Sequence, residues 1–283
     1  MKILKFSFYF FILEIVNLVL GVNMSLAGDL LLKGTFIQGG LITGYTEPGA
    51  QVLFNNKNIR VSNLGVFLIG FGRNSKDTAT IKIKFPDSNV IKKKLYVKKR
   101  NYIIQRIDGL PQKQVKPGPK DIEKIRSDNK KITNIRRLDT ADTSFISGFQ
   151  WPAIGPISGV FGSQRILNGI SKSPHNGVDV AAPKGSPVTA ASDGTIVLVQ
   201  NDMFYTGKTI MINHGHGLSS IYVHMDKILI KKGQKISKGQ KIGTIGSTGR
   251  ATGPHLHWGI SLFDVHLDPS LLVGKMPRKP EKE

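Results

Sequence analysis

Between residues 109 and 147 the chain changes character, and that break constrains the fold more than any other feature. Pro111, Pro117 and Pro119 interrupt regular structure, and residues 121–138 are dense in charge, with Ile122, Ile125, Ile132 and Ile135 at spacings of three, seven and three. Those spacings return to one side of an α-helix, so the segment reads as a linker carrying one short amphipathic helix. On both sides of it, short apolar segments alternate with turn residues. Residues 30–32, 51–54, 66–69 and 81–85 are punctuated by Gly39-Gly40, Glu47-Pro48-Gly49 and Asn55-Asn56. The Asn-Asn pair marks a tight hairpin, and the regular spacing of the segments predicts a small β-sandwich over residues 28–110. Beyond the break, residues 151–273 are rich in Gly and β-branched residues, with strands expected at 187–201, 208–214, 219–225, 241–246 and 255–262. The repeated Lys-Gly-Gln at 232–234 and 238–240 reads as a hairpin or pair of β-loops. The expected fold is therefore mainly β: an N-terminal sandwich, a helical linker over 111–150, a second β domain over 151–274 and a charged tail over 275–283.

The first 27 residues stand apart. Lys2 and Lys5 make a basic start, residues 6–22 are apolar, and Ser25-Leu26-Ala27 is a small-x-small cleavage signal before Gly28. This is the pattern of a secretory signal peptide. Glu14 and Asn17 inside the apolar stretch argue against a permanent membrane helix. The mature chain is then expected in the periplasm or secreted, with no stable membrane span.

Charge and cysteine content narrow the function. Lys plus Arg number 40 and Asp plus Glu 19, for a net charge of +21. Residues 28–150 alone hold 23 basic and 10 acidic residues. Such a surface is either a solvated face or one that attracts polyanions; export disfavours nucleic acid, so an anionic envelope polymer is the partner the second reading allows. Cysteine is absent, which excludes a disulfide framework, a thiol nucleophile and thiolate metal sites. Any metal must be held by His and carboxylates.

All seven histidines lie at or beyond position 175, so the N-terminal sandwich is a poor candidate for metal chemistry. Two clusters matter: His175-Asn176-Gly177-Val178-Asp179, and His255-Leu256-His257 after Gly253-Pro254. Residues two apart on a strand share a face, so His255 and His257 project together while Leu256 faces the core. Two imidazoles and a carboxylate make a three-ligand site with a fourth position for water, as in catalytic zinc sites. His224 and the remaining member of the His255/His257 pair would suit proton transfer and oxyanion stabilisation. His214 and His216, flanking Gly215 between two strands, read as a turn, and His266 as structural.

At these residues the chain resembles the lysostaphin-type (LytM-type) zinc metallopeptidases that cleave peptidoglycan. The likeness runs over roughly residues 155–273, through Gly159-Val160-Phe161-Gly162, Pro174-His175-Asn176-Gly177-Val178-Asp179, Tyr222-Val223-His224-Met225 and Gly246-Ser247-Thr248-Gly249-Arg250 to Gly253-Pro254-His255-Leu256-His257-Trp258. The resemblance implies an antiparallel β-sheet with a long open groove, in which His175, Asp179 and His257 bind zinc and His224 and His255 are catalytic. It implies a zinc endopeptidase that hydrolyses peptide bonds in peptidoglycan stems or cross-links. All five positions are present, unlike in relatives that lost ligands and act as non-enzymatic activators. The N-terminal half, through residues 32–40 and 106–111, is similar to β-sandwich domains that precede such peptidases in Gram-negative relatives. That likeness implies a D-alanyl cross-link as substrate ahead of a pentaglycine bridge; the basic, histidine-free N-terminal half is expected to localise or restrain the enzyme and not to catalyse.

Overall fold

The computed structural model describes residues 30–277. The expected signal peptide and most of the charged tail lie outside the described residues. Among the described residues no helix is long and apolar enough to cross a membrane.

The N-terminal part is built from β1 (Leu31–Gly34), β2 (Leu41–Tyr45), β3 (Gln51–Phe54), β4 (Lys57–Ile59), β5 (Val66–Gly70), β6 (Thr78–Lys84) and β7 (Val90–Tyr96). They form a three-stranded sheet in the order β1-β2-β5 and a four-stranded sheet in the order β4-β3-β6-β7. Asn55 and Asn56 make the β3–β4 hairpin turn with φ of 47° and 63°, the left-handed geometry that a two-residue hairpin requires. β6 alternates as its sequence demands: Ala79, Ile81 and Ile83 point into the core while Lys82 and Lys84 point out. β5 is different. Val66, Phe67, Leu68 and Ile69 are all buried, because its two faces serve two cores. Phe67 and Ile69 pack inside the sandwich, with Ile42 and Ile81. Val66 and Leu68 pack, with Leu41, against Leu262 and Leu267 of the C-terminal half. An unbroken apolar run is the signature of a strand covered on both sides. The Arg100–Asp268 ion pair, 2.7 Å long with Asp268 buried, adds a polar tie between the halves.

The connecting segment carries regular structure of its own. β8 (Ile104–Ile107) leaves the sandwich and pairs in parallel with β10 of the C-terminal half. The single turn α1 (Gln112–Val115) follows, and then α2 (Pro119–Arg136). The expected helix over 121–138 thus begins two residues earlier, at a proline whose missing N–H suits a helix start. Of its four isoleucines only Ile132 and Ile135 pack on the neighbouring sheet, beside Met211, Ile221 and Val223, and Ile122 is exposed. Buried Asp128 fastens the helix further by accepting the backbone N–H of Phe204 at 2.8 Å.

The C-terminal half comprises β9 (Ile157–Gly159), β10 (Gln164–Leu167), β11 (Ile170–Ser171), β12 (Val178–Ala181), β13 (Pro187–Thr189), β14 (Gly194–Met203), β15 (Gly207–Gly215), β16 (Leu218–Ile228), β17 (Lys235–Ile236), β18 (Lys241–Ile245), β19 (His255–Leu262) and β20 (Val265–Leu267), with the final turn α3 (Ser270–Val273). The main sheet runs β17-β14-β15-β16-β19-β12-β9, and β18 joins β16 to β13. The strand expected over 187–201 is broken at 190–193, where the chain moves from its β18 partner to its β15 partner. Gly233 and Gly239, both at positive φ, form the turns of the Lys-Gly-Gln repeats. On the buried side of the sheet lie Val180, Tyr222, Leu256 and Trp258.

His214 belongs to this interior. Its Nδ1–H donates to the carbonyl of Asp193 at 2.5 Å, its Nε2 lies 2.8 Å from the Ser220 hydroxyl, and the ring is fully buried. The turn expected at His214-Gly215-His216 sits one residue later, at His216 and Gly217, both at positive φ. Burial pushes the His214 pKa down from 6.5 to about 4. The unfolded chain therefore gains a proton near pH 6.5 that the folded chain refuses until about pH 4. The stability this group contributes is complete above pH 6.5 and is lost as pH falls towards 4, amounting to about 3 kcal/mol. Denaturant titrations at pH 7.5 and pH 4.5 should show wild type losing more stability than His214→Gln over that interval.

Candidate metal centre and groove

Strand register assembles the site. β12 pairs antiparallel with β19 so that Asp179 stands opposite His257 and Ala181 opposite His255. β9 places Gly159 on the other side of Asp179, and β16 places Val223 on the other side of His257. Gly159, Asp179, His257 and Val223 thus form one row across four strands, on the face opposite the core. His175 comes from the loop before β12. Gly177 lets that loop close on β19, since a Cβ there would overlap the carbonyl of Trp258.

Three donor atoms converge in this row. His175 Nε2 lies 2.8 Å from His257 Nδ1 and 3.0 Å from Asp179 Oδ1, and His257 Nδ1 lies 2.7 Å from the same carboxylate oxygen. His175 Nδ1 is 3.0 Å from the carbonyl of Val160. A carbonyl only accepts, so that nitrogen carries a proton, and in the tautomer with a single N–H the Nε2 lone pair points into the triangle. One N–H cannot satisfy three mutually facing acceptors, whereas a cation can. The His/Asp/His donor set, without thiols, therefore fits a divalent metal. Asp179 is ready to act as a ligand. Burial alone would raise its pKa, but the close contacts of His175 Nε2 and His257 Nδ1 with its carboxylate outweigh burial and hold the carboxyl far below the usual range.

The second pair of histidines is oriented in the same manner. His224 Nδ1 donates to the carbonyl of Thr248 at 2.7 Å and His255 Nδ1 to that of Gly253 at 2.9 Å, which leaves Nε2 as the ring nitrogen not engaged by a backbone carbonyl in each. The two ring centroids are 4.7 Å apart, and His224 is 6.4 Å from His257. Both line a cavity of about 170 Å³ together with Asp179. His224 sits where β16 changes partner from β19 to β18, beside a register shift against β15. It has φ of 62°, a left-handed conformation that is costly for a non-glycine residue and is found mainly where function holds it. Burial, followed by repulsion from His255 and His257, pushes its pKa down to about 3, so the ring is neutral near pH 7.

The structure thus brings together His175, Asp179, His257, His224 and His255, and leaves His214, His216 and His266 apart from them. It also adds Arg165, which local pattern did not single out, and gives a place to Arg250, which the sequence offered only as part of a motif. Arg165 on β10 grips the second carboxylate oxygen of Asp179 at 2.6 Å. Arg250 stacks on Tyr205, 4.1 Å from its ring centroid. Position 165 carries no motif, and its role arises only because β10 lies beside the metal row.

Residues 173–269, which include all five of these residues, match the model of Peptidase family M23. Over 96 residues, a third of this chain, it is 49% identical to the peptidoglycan DD-endopeptidase ShyA of Vibrio cholerae. Over 131 residues, 46% of the chain, it is 40% identical to the peptidoglycan DD-endopeptidase ShyB of the same species. The matches span only 22% and 28% of the lengths of those relatives. A crystal structure of a putative peptidase M23 from Pseudomonas aeruginosa is similar across 85% of this chain and 96% of that one, at 26% identity and a TM-score of 0.66.

Gly159 tests the geometry independently of any likeness. A Cβ at this position would overlap Asp179 Oδ2, which Arg165 already holds in place. Gly159→Ala should displace the carboxylate and weaken divalent-metal binding by about 10- to 100-fold, the range for changes that disturb the support of a ligand. Zinc titration against a competing chelator measures it; wild-type affinity in a folded variant would show that the row does not depend on the missing side chain.

Proposed function

With residues 173–269 a peptidase family M23 domain, we propose that this protein is a zinc-dependent endopeptidase that hydrolyses peptide bonds in peptidoglycan stems or cross-links, working in the periplasm or after secretion. The observation that carries this reading is the convergence of three acceptor atoms beside two imidazoles, His224 and His255, each anchored at Nδ1 by a backbone carbonyl. In this reading His175, Asp179 and His257 hold zinc. When bound, zinc would lower the pKa of a coordinated water and polarise the scissile carbonyl.

The chain's own residues supply the rest. Arg165 and the Val160 carbonyl fix two of the ligands in orientation, the supporting role that second partners play in metal sites. His224 and His255, each locked by a carbonyl at Nδ1, keep Nε2 free to take a proton from the attacking water and return it to the leaving amine, or to stabilise the oxyanion once protonated. The D-alanyl cross-link is the substrate bond we favour. The basic residues of the N-terminal half would hold the enzyme to anionic envelope polymers, an attraction that weakens as salt rises.

Two sets of variants separate the roles. His175→Ala, Asp179→Ala and His257→Ala should each lose zinc and hydrolysis together, whereas His224→Ala and His255→Ala should keep zinc and lose about 10²- to 10⁴-fold in rate. Metal content by mass spectrometry, alongside muropeptide release from purified sacculi with and without chelator, reads both. Full zinc occupancy in a folded Asp179→Ala protein, or zinc loss in His255→Ala, would reassign those residues; no peptide release by the zinc-loaded wild type would remove the proposed activity.

A further inference from the structure

Beside the metal row lies a second cavity of about 580 Å³, roofed by α2 and walled by His175 and His257. Its remaining polar lining is unusual. Arg136, Arg165, Lys172 and Arg250 all face it, and no acidic residue among the described residues lines it. The Nε atoms of Arg136 and Arg165 are buried and have no hydrogen-bond partner among the described residues. Arg136 forms no ion pair with the cavity lining, and burial pushes its pKa down to about 10 against the weaker opposing attraction of Asp264. Lys172 and Arg250 each use a single donor, on the adjacent carbonyls of Val115 and Gln114 at 2.8 and 3.2 Å, which leaves their other N–H groups available.

Arg165 is offset by its ion pair with Asp179, but Arg136, Lys172 and Arg250 have no ion-pair partner among the described residues, and buried guanidinium nitrogens without acceptors are expensive. A fold keeps such an arrangement when something else supplies the negative charge. Planar guanidinium forks match carboxylate geometry. The metal donors form one wall, so a peptide with its reacting bond over them would extend its neighbouring residues into this space.

We propose that the cavity beneath α2 is a substrate subsite for a free carboxylate on the peptide, with Arg136 as its innermost cation and Lys172 and Arg250 at its rim. The proposal rests on the peptidase reading above and adds to it a preference for acidic stem peptides. It also gives the connecting segment a part in recognition. Arg136 comes from α2, outside residues 151–274, so the catalytic half alone would lack one wall and one charge of the subsite. This would add a part in recognition to the localising or restraining role expected of the N-terminal half.

The test is equilibrium binding rather than turnover. A synthetic stem tetrapeptide with all carboxylates free, and its fully amidated counterpart, are titrated calorimetrically into the full mature protein, zinc-loaded and again after chelation. The free acid should bind about tenfold or more tightly, the size of a charge-assisted hydrogen bond, and the preference should persist without metal. Arg136→Gln should abolish the preference, and Arg136→Lys should restore part of it at unchanged melting temperature. Equal binding of the two peptides, or an undiminished preference in folded Arg136→Gln, overturns the subsite. So does Arg136-dependent binding of polyphosphate with none of the acidic peptide. Because binding is read without hydrolysis, a failed sacculus digest alongside a clear acid preference would count against the peptidase reading alone.

Discussion

The site depends on one register: β12 against β19, with Asp179 opposite His257. A slip of one residue would turn every side chain of β12 to the other face, sending Asp179 into the apolar interior and Val180 into the groove. The register is held from the core side. Val180, Leu256 and Trp258 are completely or almost completely buried, and they can be so only when Asp179 and His257 face outward. The apolar and polar halves of the same strands therefore enforce one another. Glycines complete the arrangement, since Gly159 leaves room for the Asp179 carboxylate and Gly177 lets the His175 loop touch β19.

Electrostatics around that row follow from burial. Every histidine whose pKa is displaced is displaced downward, with desolvation the leading cause. Neutral imidazoles are what metal ligation and proton acceptance both require. The backbone carbonyls of Val160, Thr248 and Gly253 select which nitrogen keeps its proton. Asp179 is held ionised by the two imidazoles beside it, and Arg165 pairs with its second oxygen. Positive charge in excess of that single carboxylate is then left facing the cavity under α2.

The N-terminal half is not a detached appendage. β5 buries one face in its own sandwich and the other against β19 and β20, β8 extends a sheet of the C-terminal half, and α2 covers part of the groove face. The two halves share apolar surface that neither could expose without cost, so the groove has the shape it has only in the intact chain.

Much of this was legible in the amino-acid sequence. Period-two alternation and Asn-Asn or Gly turns marked strands and hairpins, because backbone pleat and positive φ are local properties. The His-x-His pair declared its shared face for the same reason, and the absence of cysteine left His and Asp as the ligand chemistry. Other features had no local trace. The split of the strand expected at 187–201, the buried second face of β5 and the placement of α2 over the groove depend on which surfaces meet. Arg165 and Arg136 carry no motif; they acquire their neighbours through pairing of β10 beside the metal row and docking of Ile132 on the sheet. Spacing along the chain determines which side chains share a face, while only tertiary packing decides which faces share a cavity, because apolar burial brings together segments that sequence separation leaves unrelated.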